Sequence, residues 1–280
     1  MSAPLAVLIT GCSSGIGRAT ALEAASRGHR VYATARDRAG LEELAGLSGL
    51  GALPLDVTDL ESIRQAVEVA SARTGRIDAL VNNAGYAQYG AAEDVTPEEW
   101  RRQFDVNFFG AIEVTRAVLP AMRKARGGTI VNVSSVAGKI SIPFSAPYCS
   151  SKHALEGFSD ALRVEVAPFG IRVVVVEPGP VSTRYMDRAR AGVARMLSAP
   201  GPYSAFYANA ERAMETDFQA GSLPPEAVAR VIVNAIESPR PKTRYRVGSM
   251  AKLFLPLRRL LSDRSFDRKM KKSLKLPDRV

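Results

Sequence analysis

Cysteine, histidine and tryptophan are scarce in this 280-residue chain, at two, two and one residues. Two thiols, Cys12 and Cys149, are too few for a disulfide framework. The histidines, His29 and His153, leave little for a transition metal. No apolar run reaches the ~20 residues that span a bilayer. Internal repeats and low-complexity tracts are missing as well. The first residues, Met1-Ser2-Ala3-Pro4, carry no basic segment, and the apolar run after them leads into a glycine turn. That start reads as a first strand and not as a signal peptide. These absences predict a cytoplasmic protein with no metal, and the length suits one large α/β domain or two small ones.

An even spread of charge is lacking too. The formal net charge is +10, yet 14 of the 38 basic and 3 of the 28 acidic side chains lie in residues 240–280, a local net of +11. Residues 1–239 hold 24 basic and 25 acidic groups, a net of −1. The basic character belongs to the tail, so the whole-chain charge does not indicate a nucleic-acid partner.

What is present is alternation. β-rich runs at Leu5–Thr10, Arg30–Ala35, Ala52–Leu55, Ala79–Asn82, Thr129–Val133 and Arg172–Val176 alternate with helical patterns at Gly15–Arg27, Asp59–Arg73, Pro97–Arg126 and Tyr148–Pro168. Continuous aliphatic strands between helices predict an α/β fold, a doubly wound parallel sheet of about seven strands covered on both faces. After Pro178-Gly179-Pro180 the alternation stops. Residues 183–222, rich in Ala, Arg, Met, Tyr and Phe, predict a helical lid, and a helix at Pro224–Glu237 and a strand at Arg244–Val247 resume the fold. The catalytic domain is expected over 1–250 and a basic amphipathic extension over 251–280.

In that extension Leu253, Leu257, Leu260, Leu261, Phe266, Met270 and Leu274 recur at helical spacing beside Arg258, Arg259, Arg268, Lys269, Lys271 and Lys272. Such a stretch can lie on an anionic membrane. Packing of its apolar face on the domain is the favoured reading. Pro256 and the pair Ser262-Asp263 predict two short helices.

Two patterns carry chemistry. Tyr148 and Lys152 stand one helical turn apart, so an ammonium is held near a phenol. At ~4 Å and an effective dielectric of ~20 the attraction is about 4 kcal/mol, which brings a phenol from ~10 toward neutrality. The second pattern is Thr10-Gly11-Cys12-Ser13-Ser14-Gly15-Ile16-Gly17, between a strand and a helix. Glycines allow close approach of a pyrophosphate, and the helix N-terminus supplies free N–H groups. The same residues fit a hydrolase elbow, Gly11-x-Ser13-x-Gly15. That rival needs a histidine late in the chain, and neither His29 nor His153 is placed to serve.

Taken in order, Thr10-Gly11-x-x-x-Gly15-Ile16-Gly17, Asn82-Asn83-Ala84-Gly85, Ser135, Tyr148-x-x-x-Lys152 and Pro178-Gly179 resemble the motifs of the short-chain dehydrogenase/reductase family. The likeness covers residues 5 to about 185, and the resumed helix and strand extend it to about 250. The run from Tyr148 to Phe158 is most similar to the steroid- and retinol-dehydrogenase branch and its bacterial relatives.

The resemblance implies a Rossmann-type fold and four catalytic residues. Tyr148 is the implied general acid or base, Lys152 lowers its pKa and binds the nicotinamide ribose, and Ser135 holds the substrate oxygen in preference to Ser134. Asn107 holds a relay water, although a kink or capping role fits that residue equally. Implied cofactor contacts are Gly11, Ser14, Gly15, Ile16 and Gly17 at the pyrophosphate, with Ser13 able to add a hydroxyl at a 2′-phosphate and with Asp56 and Val57 at the adenine. Asn83, Ala84 and Gly85 are implied at the adenosine end, and Pro178, Gly179, Val181 and Thr183 at the carboxamide. A homodimer or homotetramer is implied as well.

Charge decides the expected cofactor. NAD-binding members place an acidic residue at the end of the second strand, where it repels a 2′-phosphate. Here Ala35 stands there, followed by Arg36, whose guanidinium can pair with phosphate. NADP(H) is therefore expected over NAD, with pairing of Arg36 to Asp37 as the competing structural use of that residue. Ser141-Ile142-Pro143-Phe144 and the lid residues Tyr185, Met186, Met196, Leu197, Phe206 and Tyr207 suggest a hydrophobic carbonyl or alcohol, unless they only pack the lid. Arg184, Arg188, Arg190 and Arg195 leave an acidic substrate open. The expected activity is an NADP(H)-dependent carbonyl–alcohol oxidoreductase. The alternative is a non-catalytic NADP(H)-binding redox sensor on the same fold, which would have no need of the phenol.

Overall fold

Apolar runs become strands here because both faces of the sheet are covered. A computed structural model of the chain describes residues 3–37, 39–183, 201–213, 222–273 and 276. Strands β1 (Ala6–Ile9), β2 (Arg30–Ala35), β3 (Leu50–Pro54), β4 (Ala79–Asn82), β5 (Gly128–Val133), β6 (Ile171–Pro178) and β7 (Arg244–Val247) form one sheet. Its order is β3-β2-β1-β4-β5-β6-β7, and every pairing is parallel. Chain direction across the sheet reverses between β1 and β4. At such a point the loops leave on opposite faces and open a crevice at the carboxyl ends of the strands.

Side chains alternate across the sheet. Val7 and Ile9 face α1 (Gly15–Ser26) and a later helix, Pro225–Glu237, burying Ala21, Ala24, Val228, Ile232 and Ile236 with them. Leu8 faces the opposite layer, α3 (Leu60–Thr74), α5 (Gly110–Lys124) and α6 (Ala146–Val166), with Ile63, Val67, Val114, Val118 and Leu162. Each fully buried aliphatic side chain contributes about 1.5–3 kcal/mol, so both layers are firmly seated.

Several boundaries differ from expectation. A short helix, α2 (Glu42–Ala45), follows β2, and β3 starts at Leu50 instead of Ala52. Pro54 is tolerated at its end because β3 is an edge strand. The helix expected over 97–126 is split. After α4 (Pro97–Phe104), started by a Thr96–Glu99 capping box, one π-turn at Asp105–Phe109 interrupts the ladder before α5. Part of the expected lid is α7 (Ser204–Ala213). Tyr185, Met186, Met196, Leu197, Arg184, Arg188, Arg190 and Arg195 lie outside the described residues, as does Leu274.

After α8 (Pro225–Glu237) and β7 the tail forms α9 (Ser249–Leu260) and α10 (Asp263–Ser273). Pro256 lies inside α9 and does not end it; the break comes at Leu261 and Ser262. Ala251, Leu255 and Phe266 are buried against Val136 and Ile140 of the domain. Leu253 and Leu260, expected among the packing residues, point outward instead.

Candidate active site

The glycine turn sits at the sheet's reversal point. Gly11 has φ +74°, and a Cβ there would meet the Ala84 backbone at 2.8 Å. At Gly17 a Cβ would fall 2.3 Å from the Gly11 carbonyl oxygen and 2.5 Å from Asn83 Nδ2. Only glycine leaves this cradle open, as a pyrophosphate-binding turn requires. Ser14 precedes α1 in extended conformation, and its side chain does not cap the helix. The first N–H groups of α1 therefore have no serine hydroxyl across them. The residues fit a dinucleotide.

Strand β4 is tied to this turn. Asn83 Nδ2 donates to the Thr10 carbonyl at 2.9 Å and the Gly11 carbonyl at 3.2 Å. The Asn83 and Ala84 amides both donate to Thr10 Oγ1 at 3.0 Å. A Cβ on Gly15 would meet Thr183 Cγ2 at 3.0 Å, so the loop after β6 closes over the turn. Val181 pairs with Leu223 at the far side of that loop. The ends of β2 and β3 lie side by side, with the Leu55 amide donating to the Ala35 carbonyl at 2.9 Å. Arg36 and Asp56 thus flank one end of the crevice. Asp37 accepts from the Ala39 amide at 3.0 Å, and Arg36 makes no ion pair with a described residue. The competing Arg36–Asp37 pairing is not what these side chains do. Asp56 is held by Thr58, and Val57 packs against Gly110.

Tyr148 and Lys152 lie on α6. The Lys152 Nζ is 6.0 Å from the Tyr148 ring centroid and donates to the Val133 carbonyl at 2.7 Å. Burial lowers this ammonium to about 8, only partly opposed by the charge of Glu156 one turn on. Ser135, two residues past Val133, is extended and accepts from the Ala137 amide at 3.1 Å. Ser134 is buried with its hydroxyl unpartnered, against Gly138. Of the two serines, Ser135 has the accessible hydroxyl. Asn107 lies in the π-turn, a distortion common at functional sites. Its side chain accepts from the Tyr86 amide at 3.0 Å and donates to the Tyr86 carbonyl at 2.9 Å and to Ser151 Oγ at 3.3 Å. The amide thereby locks the loop after β4 to α6, which realises the kink role weighed for this residue.

Three features escaped the sequence reading. First, Glu156 is buried and takes ion pairs from Lys139 at 2.9 Å and Arg244 at 3.0 Å. Arg244 also reaches Asp160 at 2.6 Å and Glu177 at 3.3 Å. Tyr148, Lys152, Glu156 and Asp160 recur every four residues, a spacing that signals one helix face. Second, Phe144 holds φ +62°, fixed by the Gly90 amide donating to its carbonyl at 2.9 Å. Its ring meets Tyr203, Phe206 and Tyr207 of the α7 region with centroids 5.4–6.4 Å apart. Third, Tyr207 hydroxyl bonds Asp94 and the Ala91 amide. Burial pushes the Cys12 thiol up to about 12 and raises Cys149, so neither is a nucleophile. No helix among the described residues is long and apolar enough to cross a membrane. No group of three His, Cys, Asp or Glu side chains among them could hold a metal ion.

A parallel sheet with a glycine cradle at its reversal point defines a nucleotide-binding α/β fold. Residues 5–194 match the family model described as short chain dehydrogenase, and the chain belongs to the short-chain dehydrogenase/reductase family. It is 37% identical over 250 residues to a 3-ketodihydrosphingosine reductase of Bacteroides thetaiotaomicron, covering 89% of this chain and 90% of that one. It is 38% identical over 259 residues to retinol dehydrogenase 8 of Homo sapiens, covering 87% and 81%. Among solved structures, a short-chain dehydrogenase from Streptomyces avermitilis superposes with a TM-score of 0.81 at 34% identity, over 98% and 99% of the chains. A family member from Burkholderia phymatum in complex with NAD superposes with a TM-score of 0.78 at 26% identity, over 96% and 95%. This family's fold binds a nicotinamide cofactor and interconverts carbonyls and alcohols.

Proposed function

We propose that the chain is an NADP(H)-dependent reductase or dehydrogenase of a hydrophobic carbonyl or alcohol, with Tyr148 as its general acid or base. The observation that carries this reading is the buried Lys152 ammonium, fixed by the Val133 carbonyl beside the Tyr148 ring. Bound cofactor supplies or accepts the hydride. The protein's share is the proton and the oxygen. Tyr148 donates its phenolic proton to the substrate oxygen in reduction, and the Lys152 charge stabilises the phenolate left behind. Ser135 steadies the same oxygen as charge develops on it. Asn107 fixes α6 against the loop after β4 and so sets the angle at which Tyr148 is presented.

For the 2′-phosphate, support comes from Ala35 in place of a carboxylate, from the exposed Arg36 guanidinium, and from Asp37 being engaged elsewhere. For a hydrophobic substrate, support comes from Phe144, four residues before Tyr148, and the ring cluster it forms with Tyr203, Phe206 and Tyr207. Two relatives named for 3-ketodihydrosphingosine and retinol point the same way. A homodimer or homotetramer in the cytoplasm completes the reading, and sedimentation equilibrium tests the assembly.

The test of function is NADPH oxidation across a panel of hydrophobic ketones and aldehydes. The Tyr148→Phe variant should lose about 10²–10⁴ in rate while binding NADPH within twofold of the parent. Turnover of no panel member, or an equally active phenylalanine variant, sinks the proposal. The Arg36→Glu substitution should reverse the preference for NADPH over NADH. Tighter NADH binding by the parent protein contradicts the cofactor assignment.

A further inference from the structure

Helix α9 is apolar on two opposite sides. Ala251 and Leu255 are buried against Val136, Ile140 and Phe266. Leu253, Leu257 and Leu260 follow at spacings of four and three, so they share the other side of the helix. On that side Leu253 is 67% and Leu260 83% exposed, and Leu257 is part-exposed. A helix that only packs on its domain carries one apolar stripe and a polar outer face. The second stripe here has no counterpart among the described residues.

Its surroundings name the partner. Lys252 is exposed beside the leucines, and α10 follows with Arg264, Arg268, Lys269, Lys271 and Lys272 exposed. Residues 240–280 carry a net charge of +11 against −1 for the rest of the chain. Asp263, paired with Arg258, and Asp267 are the exposed acidic groups of α10. A protruding leucine ridge in a predominantly basic field complements an apolar layer beneath an anionic surface. We propose that the outer face of α9, with the lysines and arginines of α10, docks the folded protein onto anionic lipid bilayers.

Packing and docking then use different faces of one helix. The inner face stays on Val136 and Ile140 while the outer face meets lipid, so docking requires no unfolding of the tail. The two readings of the tail weighed from its sequence are complementary. The inference is independent of the catalytic reading, since nothing in it involves Tyr148, Lys152 or the cofactor.

The experiment is co-sedimentation of the full chain with vesicles of phosphatidylcholine alone and of phosphatidylcholine with phosphatidylserine, at low and high salt. Binding should require phosphatidylserine and weaken at least tenfold between about 50 mM and 500 mM salt. The double variant Leu253→Asp and Leu260→Asp alters outward side chains, so it should keep the parent's melting temperature and lose at least tenfold in vesicle affinity. The variant Lys269→Glu, Lys271→Glu and Lys272→Glu should lose binding to a similar degree. No pelleting with anionic vesicles at low salt overturns the proposal. Unchanged pelleting of the aspartate variant overturns the leucine face. A dimer that dissociates on the same aspartate substitutions, with no vesicle binding by the parent, assigns the face to a second copy of the chain instead.

Discussion

The Nζ of Lys152 donates to the carbonyl oxygen of Val133, 2.7 Å away, and so carries its charge inside the protein. Burial brings the ammonium from 10.5 to about 8. Below pH 8 both folded and unfolded chains hold this proton, and folding bears the full cost of burying the charge. Between about 8 and 10.5 the folded chain releases the proton first, so this group's contribution to stability rises with pH. Activity runs the other way. On the proposed mechanism the charged lysine supports the phenolate, so the reduction rate should fall as pH climbs through about 8. Lys152→Met should cost about 10² or more in rate and abolish that alkaline limb. A flat rate between pH 7 and 9 in the parent removes the role given to the charge.

Gly17 and Gly28 separate cradle geometry from backbone strain. A Cβ on Gly17 would overlap the Gly11 carbonyl at 2.3 Å, in the turn itself. A Cβ on Gly28 meets nothing within 4 Å, but the residue holds φ +83°. Gly28→Ala should therefore cost about 1–2 kcal/mol of stability and leave cofactor affinity unchanged. Gly17→Ala should weaken NADPH binding at least tenfold, because the turn must open to accept the methyl group. Fluorescence titration of NADPH with the two variants distinguishes these outcomes. Equal affinities mean that the turn does not hold the cofactor.

Arg244 serves three carboxylates at once, Glu156, Asp160 and Glu177. Glu177 is raised by burial first and by Glu156 second, which marks it as a costly charge. Removing the shared cation leaves buried carboxylates with fewer partners. Arg244→Met should destabilise by about 3–5 kcal/mol, read as a lower midpoint in urea. Adding Glu156→Gln should return part of that loss, because one of the stranded charges is then gone. Additive losses in the double variant would show that the groups do not act as one network.

Much of this was legible in the chain itself. Strand positions followed from uninterrupted aliphatic runs, and the cradle from glycines at a strand–helix junction, because each depends on a few adjacent residues. Arg36 could be placed at the carboxyl end of the sheet by counting along the second strand. Long-range pairings were not legible. Nothing local distinguishes Asp37 bonding Arg36 from Asp37 bonding the Ala39 amide, and the latter won because the turn after β2 brings that amide within reach. Leu255 buries while Leu253 does not, although both fit a helical leucine repeat. The choice depends on which side of α9 meets Val136 and Ile140. The π-turn at Asn107 was hidden for a similar reason, since its anchor is the Tyr86 backbone 21 positions away.

Phe144 is a bulky residue at φ +62°, a conformation that costs about 1–3 kcal/mol. Glycine would hold it without strain, so the ring must return something. Contacts with Tyr203, Phe206 and Tyr207 recover about 0.5–1.5 kcal/mol each. Strain and contact thus nearly offset, and Phe144→Gly should change the melting temperature little. The same substitution removes the ring proposed to line the substrate pocket, four residues before Tyr148. Specificity should therefore move while stability stays. We expect kcat/KM to fall about tenfold for large flat ketones, roughly one buried ring's share of binding, and to change less than twofold for a small aliphatic ketone. The loss should appear in KM and not in kcat, because the proposed proton transfer assigns the ring no part in it. Equal losses on both substrates would assign Phe144 to shaping the Tyr148 loop instead of lining the pocket.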